Sequence, residues 1–159
     1  GVDVPVFAVE FMADTTRAVA NLIFSGTLER YPGISFVVAH AGGFAPYIAA
    51  RLQRAWAGRP EAQERAPDGV IAYLRRLYYD TAVSASPYAL PSVLALAGAQ
   101  HLCFGTDYPF VPEAVVGETV DGLLAHAGLA GPDLEAVERT AALRLLPALA
   151  ARLRGPSNS

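Results

Sequence analysis

Apolar residues along the chain alternate between helical spacing and short continuous runs. Val19, Leu22, Ile23, Gly26 and Leu28 recur at helical spacing behind Asp14-Thr15-Thr16, whose short polar side chains suit an N-cap. This predicts a helix from about Thr15 to Arg30, stopped by Tyr31-Pro32-Gly33. Ahead of it, Gly1 to Ala13 has Pro5, Phe7, Phe11 and Met12 without a sustained period and reads as an apolar loop or a short strand followed by a loop. Ile34 to Ala39 is a β-branched, nearly unbroken apolar run, the mark of a strand covered on both faces in a parallel sheet.

The alternation then repeats. Pro46 to Trp56 returns to helical spacing with proline where a first turn tolerates it, Gly58 to Asp68 reads as a polar loop, and Gly69 to Arg76 as a helix. Leu77 to Ala82 is a second strand, Pro87 to Ala99 a helix, and Leu102 to Thr106 a third strand. Glu113 to Ala127 and Asp133 to about Arg154 close the chain as helices, the last broken near Pro147, with 155–159 as a frayed tail. Short strands separated by helices of ten or so residues are the pattern of parallel βαβ units, so the fold class is α/β, in one domain over residues 1–154.

Composition narrows the function classes. The chain has 159 residues, 53% hydrophobic and 17% charged, enough to bury a core. Twelve Lys and Arg against fifteen Asp and Glu give a net charge of -3 with no basic run, which argues against nucleic acid or an anionic membrane as partner. One cysteine, Cys103, excludes an internal disulfide framework, and its place inside a strand marks it as core. Without a membrane-length apolar run or a secretory signal, a cytoplasmic location is the expectation.

In α/β sheets, ligands bind beyond the carboxyl ends of parallel strands. His40 follows the first strand and precedes Gly42-Gly43, whose small size admits a ligand near the backbone. Asp107 follows the third, before Tyr108-Pro109. Asp80, at the end of the middle strand, has either a functional role or a structural hydrogen-bond network shared with Thr81. His101 falls at the opposite end of the sheet as a surface loop residue, and His126 ends a helix, where its charge suits the dipole. The nucleophile elbow, the phosphate-binding loop and paired zinc cysteines are all absent from the sequence.

Val37-Val38-Ala39-His40-Ala41-Gly42-Gly43, then Pro46 and Arg51, then Phe104-Gly105-Thr106-Asp107-Tyr108-Pro109, resemble the C-terminal half of the amidohydrolase-related family that includes the aminocarboxymuconate-semialdehyde and resorcylate decarboxylases. Ser25 to Pro32 and Tyr79-Asp80-Thr81 fit the same pattern, whereas Thr140 stands where the family commonly has Asn. The resemblance implies a (β/α)8 barrel of which these are strands six to eight. It implies a metal-dependent carboxy-lyase acting on a small aromatic or unsaturated carboxylic acid, with an amide, ester or lactone hydrolase as alternative. It further implies His40 as acid/base, Asp107 as a ligand of a divalent metal, zinc or manganese, and as an alternative proton acceptor. Arg51 would bind a substrate carboxylate across a dimer interface, or form a helix-surface ion pair.

The family's His-x-His pair and fifth-strand histidine would lie before Gly1, and a complete barrel takes ~250 residues. A homodimer, pairing with an N-terminal half, or a truncated non-catalytic half-barrel follow as expectations, with an open sheet edge and an exposed apolar face.

Overall fold

The computed structural model describes residues 3–153. Its centre is a three-stranded parallel sheet in the order β1-β2-β3, formed by β1 (Val37–Val38), β2 (Tyr78–Asp80) and β3 (Leu102–Cys103). Val37 and Val38 pair with Tyr78 and Tyr79, and Tyr79 and Asp80 pair with Leu102 and Cys103. Each apolar run contracts to the residues that find a partner, with the Tyr78 N–H reaching Phe36 O and the Thr81 N–H reaching Cys103 O just beyond the paired residues. Among the described residues β1 and β3 are edges, and Val37 is 52% exposed.

The helices are α1 (Val6–Phe24), α2 (Thr27–Arg30), α3 (Ala49–Ala57), α4 (Pro60–Arg65), α5 (Val70–Arg76), α6 (Leu90–Ala97), α7 (Glu113–Leu124), α8 (Pro132–Glu135), α9 (Ala141–Leu145) and α10 (Pro147–Leu153). Tyr73, Leu74, Leu77, Tyr79, Leu90, Val93, Leu102 and Val137 are buried in one core with Val19 and Ile23 of α1. Each large side chain withdrawn from water contributes about 1.5–3 kcal/mol, so this seam between sheet and helices carries the fold.

Three expectations need correction. The segment read as loop or short strand is the first part of α1, and Asp14-Thr15-Thr16 lie inside that helix instead of capping it. The period is hidden because Phe7 and Phe11 are exposed, so the apolar face does not mark burial. The helix expected to run through to Arg30 breaks at Gly26, whose φ of +75° leads into α2; a Cβ there would lie 2.8 Å from Arg65 O. The stretch read as a polar loop contains α4, started by Pro60 at its first turn and held by the Trp56 indole N–H, which donates to Ala62 O and Ala66 O.

The break near Pro147 is present, but the preceding helix also widens into a π turn at Ala136–Thr140. That turn brings Val137 O to the Phe104 N–H (2.8 Å), covering part of the β3 edge. The tail 155–159 lies outside the described residues, as do Gly1 and Val2. No helix among the described residues is long and apolar enough to cross a membrane.

Candidate active site

The three strands end in unusual backbone. Among the described residues four non-glycine residues have positive φ: His40 (+56°) and Ala41 (+52°) after β1, Val83 (+52°) after β2, and Asp107 (+67°) after β3. Such conformations cost of order 1–3 kcal/mol each and persist where surrounding contacts over-determine them. Gly42 (+82°) and Gly43 (+61°) continue the left-handed run. A Cβ on Gly42 would lie 2.7 Å from the Tyr79 ring, so the turn presses directly on the core.

His40 is fixed at both ends. Its backbone N–H donates to Asp80 Oδ1 (2.7 Å), and its Nδ1 lies 2.9 Å from Ala82 O. A carbonyl can only accept, so Nδ1 carries the hydrogen and Nε2 keeps a free lone pair. Asp80 Oδ1 also accepts the Ala82 N–H (3.1 Å). Burial pushes the Asp80 carboxyl up from its ordinary value, the two N–H donors pull it down, and nearby Asp107 adds to the rise. Hydrogen bonds to a charged acceptor contribute about 1.5–3 kcal/mol each, enough to offset the strain at His40.

Thr81 is fully buried and bonds not with Asp80 but with Gly105, donating to its O (2.9 Å) and accepting its N–H (3.0 Å). Thr16, which carried no functional signal, donates from Oγ1 to Met12 O (2.7 Å) and accepts the Phe44 N–H (2.8 Å), so α1 holds the turn that follows His40.

His40 lines a cavity of about 290 Å³ with Met12, Phe44, Tyr47, Ser84 and Tyr88 among its walls. Asp107 and Arg51 do not line it. Asp107 is half-buried four residues beyond the end of β3, close enough to affect Asp80 electrostatically, and its backbone O accepts from Phe110 and Val111. Arg51 is exposed on α3. The described residues include no group of three His, Cys, Asp or Glu placed to hold a metal. A catalytic zinc takes three protein ligands, so these residues alone do not fit one.

The remaining candidates resolve. His101 does sit at the opposite end of the sheet, yet it is not a free surface residue: its Nδ1–H donates to Leu77 O (3.0 Å) and its ring stacks on Tyr78 at 4.6 Å. His126 follows α7, and its Nδ1 accepts the Gly128 N–H (3.1 Å). Cys103 is buried in β3 and burial raises its thiol pKa, as fits core.

The amidohydrolase family profile matches residues 2–148. The chain belongs to that amidohydrolase family. A 6-methylsalicylic acid decarboxylase of Penicillium expansum is 31% identical over 140 residues, covering 88% of this chain and 43% of the relative. A 2-amino-3-carboxymuconate-6-semialdehyde decarboxylase of Dictyostelium discoideum is 29% identical over 113 residues, covering 70% and 31%. The chain thus spans less than half the length of these amidohydrolase relatives.

Among solved structures, an amidohydrolase II superposes with a TM-score of 0.81 at 28% identity, over 92% of this chain and 46% of its own. A 5-carboxyvanillate decarboxylase from Novosphingobium aromaticivorans, solved with manganese, shares the fold at a TM-score of 0.73 and 21% identity, over 85% and 39%.

Proposed function

We propose that residues 1–154 form the C-terminal part of an amidohydrolase-type (β/α)8 barrel, strands six to eight, and that the whole barrel removes carbon dioxide non-oxidatively from a small aromatic carboxylic acid. The observation that carries this reading is His40: with Nδ1–H held on Ala82 O at the carboxyl end of a parallel strand, Nε2 is left for proton transfer beside a cavity. In the reaction, the electron pair of the bond to the leaving carboxylate stays on the ring carbon. His40 takes a proton from water on Nε2 and delivers it to that carbon, carbon dioxide departs, and the imidazole is left neutral with its Nδ1–H still on Ala82 O.

A divalent cation, zinc or manganese, belongs to this reading with Asp107 as one ligand and the others supplied from outside these residues; no step is assigned to it. Arg51, exposed on α3, is available to the carboxylate of a substrate held by a second protomer. The decarboxylase names of the relatives, and the resemblance around His40 and Asp107, support the lyase over the hydrolase.

Incubating the full-length protein with an ortho-hydroxybenzoate such as 6-methylsalicylate and measuring headspace carbon dioxide by mass spectrometry tests the proposal. Carbon dioxide matched by loss of the acid is expected. Turnover of an amide, ester or lactone to a new carboxylate, with no carbon dioxide from any aromatic acid, would overturn it in favour of hydrolysis.

A further inference from the structure

Asp80 has no assigned role, yet it joins both supports of His40. Its Oδ1 accepts the His40 N–H (2.7 Å) and the Ala82 N–H (3.1 Å), while the carbonyl of that same Ala82 accepts the His40 Nδ1–H (2.9 Å). The chain of bonds closes on itself, from His40 backbone to Asp80, to Ala82, and back to the His40 ring. One carboxylate oxygen therefore sets where the ring acceptor sits and where the histidine backbone sits.

The surroundings are built to keep that oxygen in place. Gly105 lies against the Asp80 side chain, since a Cβ there would be 3.3 Å from Asp80 Cβ, tighter than ordinary contact. Thr81, the next residue, ties the end of β2 to Gly105 through two hydrogen bonds. His40 itself sits at a φ of +56°, a conformation that costs energy for a residue with a side chain and so needs support from its surroundings.

We propose that Asp80 is a positioning residue that selects the Nδ1–H tautomer of His40 and aims Nε2 for proton transfer. The proton-transfer part of this role rests on the function proposed above; the tautomer selection does not. Ring orientation and tautomer are commonly set by the bond made at the other nitrogen, and here that bond is itself set by a third group.

The test reads imidazole nitrogens, not turnover. In the 159-residue chain labelled with ¹⁵N-histidine, at a pH where the rings are neutral, long-range proton–nitrogen correlation spectra distinguish the two tautomers. Two internal references exist: His101, as an Nδ1–H donor to Leu77 O, and His126, whose Nδ1 accepts and whose hydrogen is therefore on Nε2. His101→Gln and His126→Gln assign the signals. Wild type is expected to show His40 as Nδ1–H.

Asp80→Ala should lose that signature at His40 while His101 and His126 keep theirs. Asp80→Asn, which retains an acceptor at Oδ1, should restore it. The proposal is overturned if His40 stays Nδ1–H in Asp80→Ala, or if Asp80→Asn loses the signature with His101 intact. Should Asp80→Ala fail to fold, seen as loss of the His101 signature too, Asp80→Glu takes its place: its oxygens lie one methylene farther out, so it should lose the signature that Asp80→Asn keeps, and the reverse order overturns the role. A protein that shows these tautomers but releases no carbon dioxide contradicts the proposed function and leaves the positioning of His40 standing.

Discussion

His40 and His101 make the same hydrogen bond at opposite ends of one sheet. Each donates Nδ1–H to a main-chain carbonyl, at 2.9 Å to Ala82 and 3.0 Å to Leu77. They differ in what surrounds the bond. His101 comes before β3, in a short turn, with its ring stacked on Tyr78. His40 comes after β1, in left-handed backbone, beside a cavity, with a half-buried carboxylate gripping its N–H. The ring bond alone therefore does not separate the two histidines; strand direction and the local backbone do, and on them rests the proposed role of the second nitrogen of His40.

The backbone records the same division. Every non-glycine residue with positive φ among the described residues follows the carboxyl end of a strand. Away from those ends, positive φ falls to Gly26, Gly69, Gly98 and Gly131, where it is cheap. Strain is thus concentrated where the candidate chemistry is.

The largest expected effect is on turnover. Asp107→Asn in the full-length protein should lower kcat by more than about 100-fold, whereas His126→Ala should leave it within about twofold, measured by carbon dioxide release. Stability separates the two kinds of glycine next. Gly42→Ala, with positive φ and the Tyr79 ring 2.7 Å from the added Cβ, should cost about 3 kcal/mol or more, and Gly98→Ala, with open space but φ 74° and ψ 167°, about 1–3 kcal/mol from backbone strain alone, both read from denaturant midpoints.

Tyr79→Phe removes the hydroxyl that donates to Leu74 O (2.7 Å) in the core beneath the His40 turn and should cost about 1–2 kcal/mol. The smallest effect belongs to the far end of the fold. Burial, with help from its hydrogen bond to Glu29, raises the Tyr73 phenol from 10.0 to about 12. The folded chain holds that proton after the unfolded chain has lost it, so stability should be unaffected below pH 10 and fall as pH rises from 10 towards 12. Tyr73→Phe should flatten that slope in midpoints measured across the window.

The sheet and the placement of His40 and Asp107 were legible because a β-branched run ending in a polar residue beside glycine is a local signal, and parallel strands fix which end carries ligands. The α1 start was not legible, because exposed Phe7 and Phe11 break the link between apolar character and burial. Nor was the Thr16 relay, since a threonine bonded to the carbonyl four residues back looks like any helix threonine until Phe44 arrives from elsewhere in the chain. For Asp80 the position at a strand end was legible but its partners were not, since they are His40, far away in sequence, and the main chain of Ala82.

The most direct measurement puts the two histidines side by side. Carbon dioxide release from a carboxyl-labelled ortho-hydroxybenzoate should be measured for full-length His40→Ala and His101→Ala proteins of equal fold by circular dichroism. The account predicts loss of at least about 100-fold for His40→Ala and near-unchanged kcat for His101→Ala. Equal turnover in the two variants would contradict it.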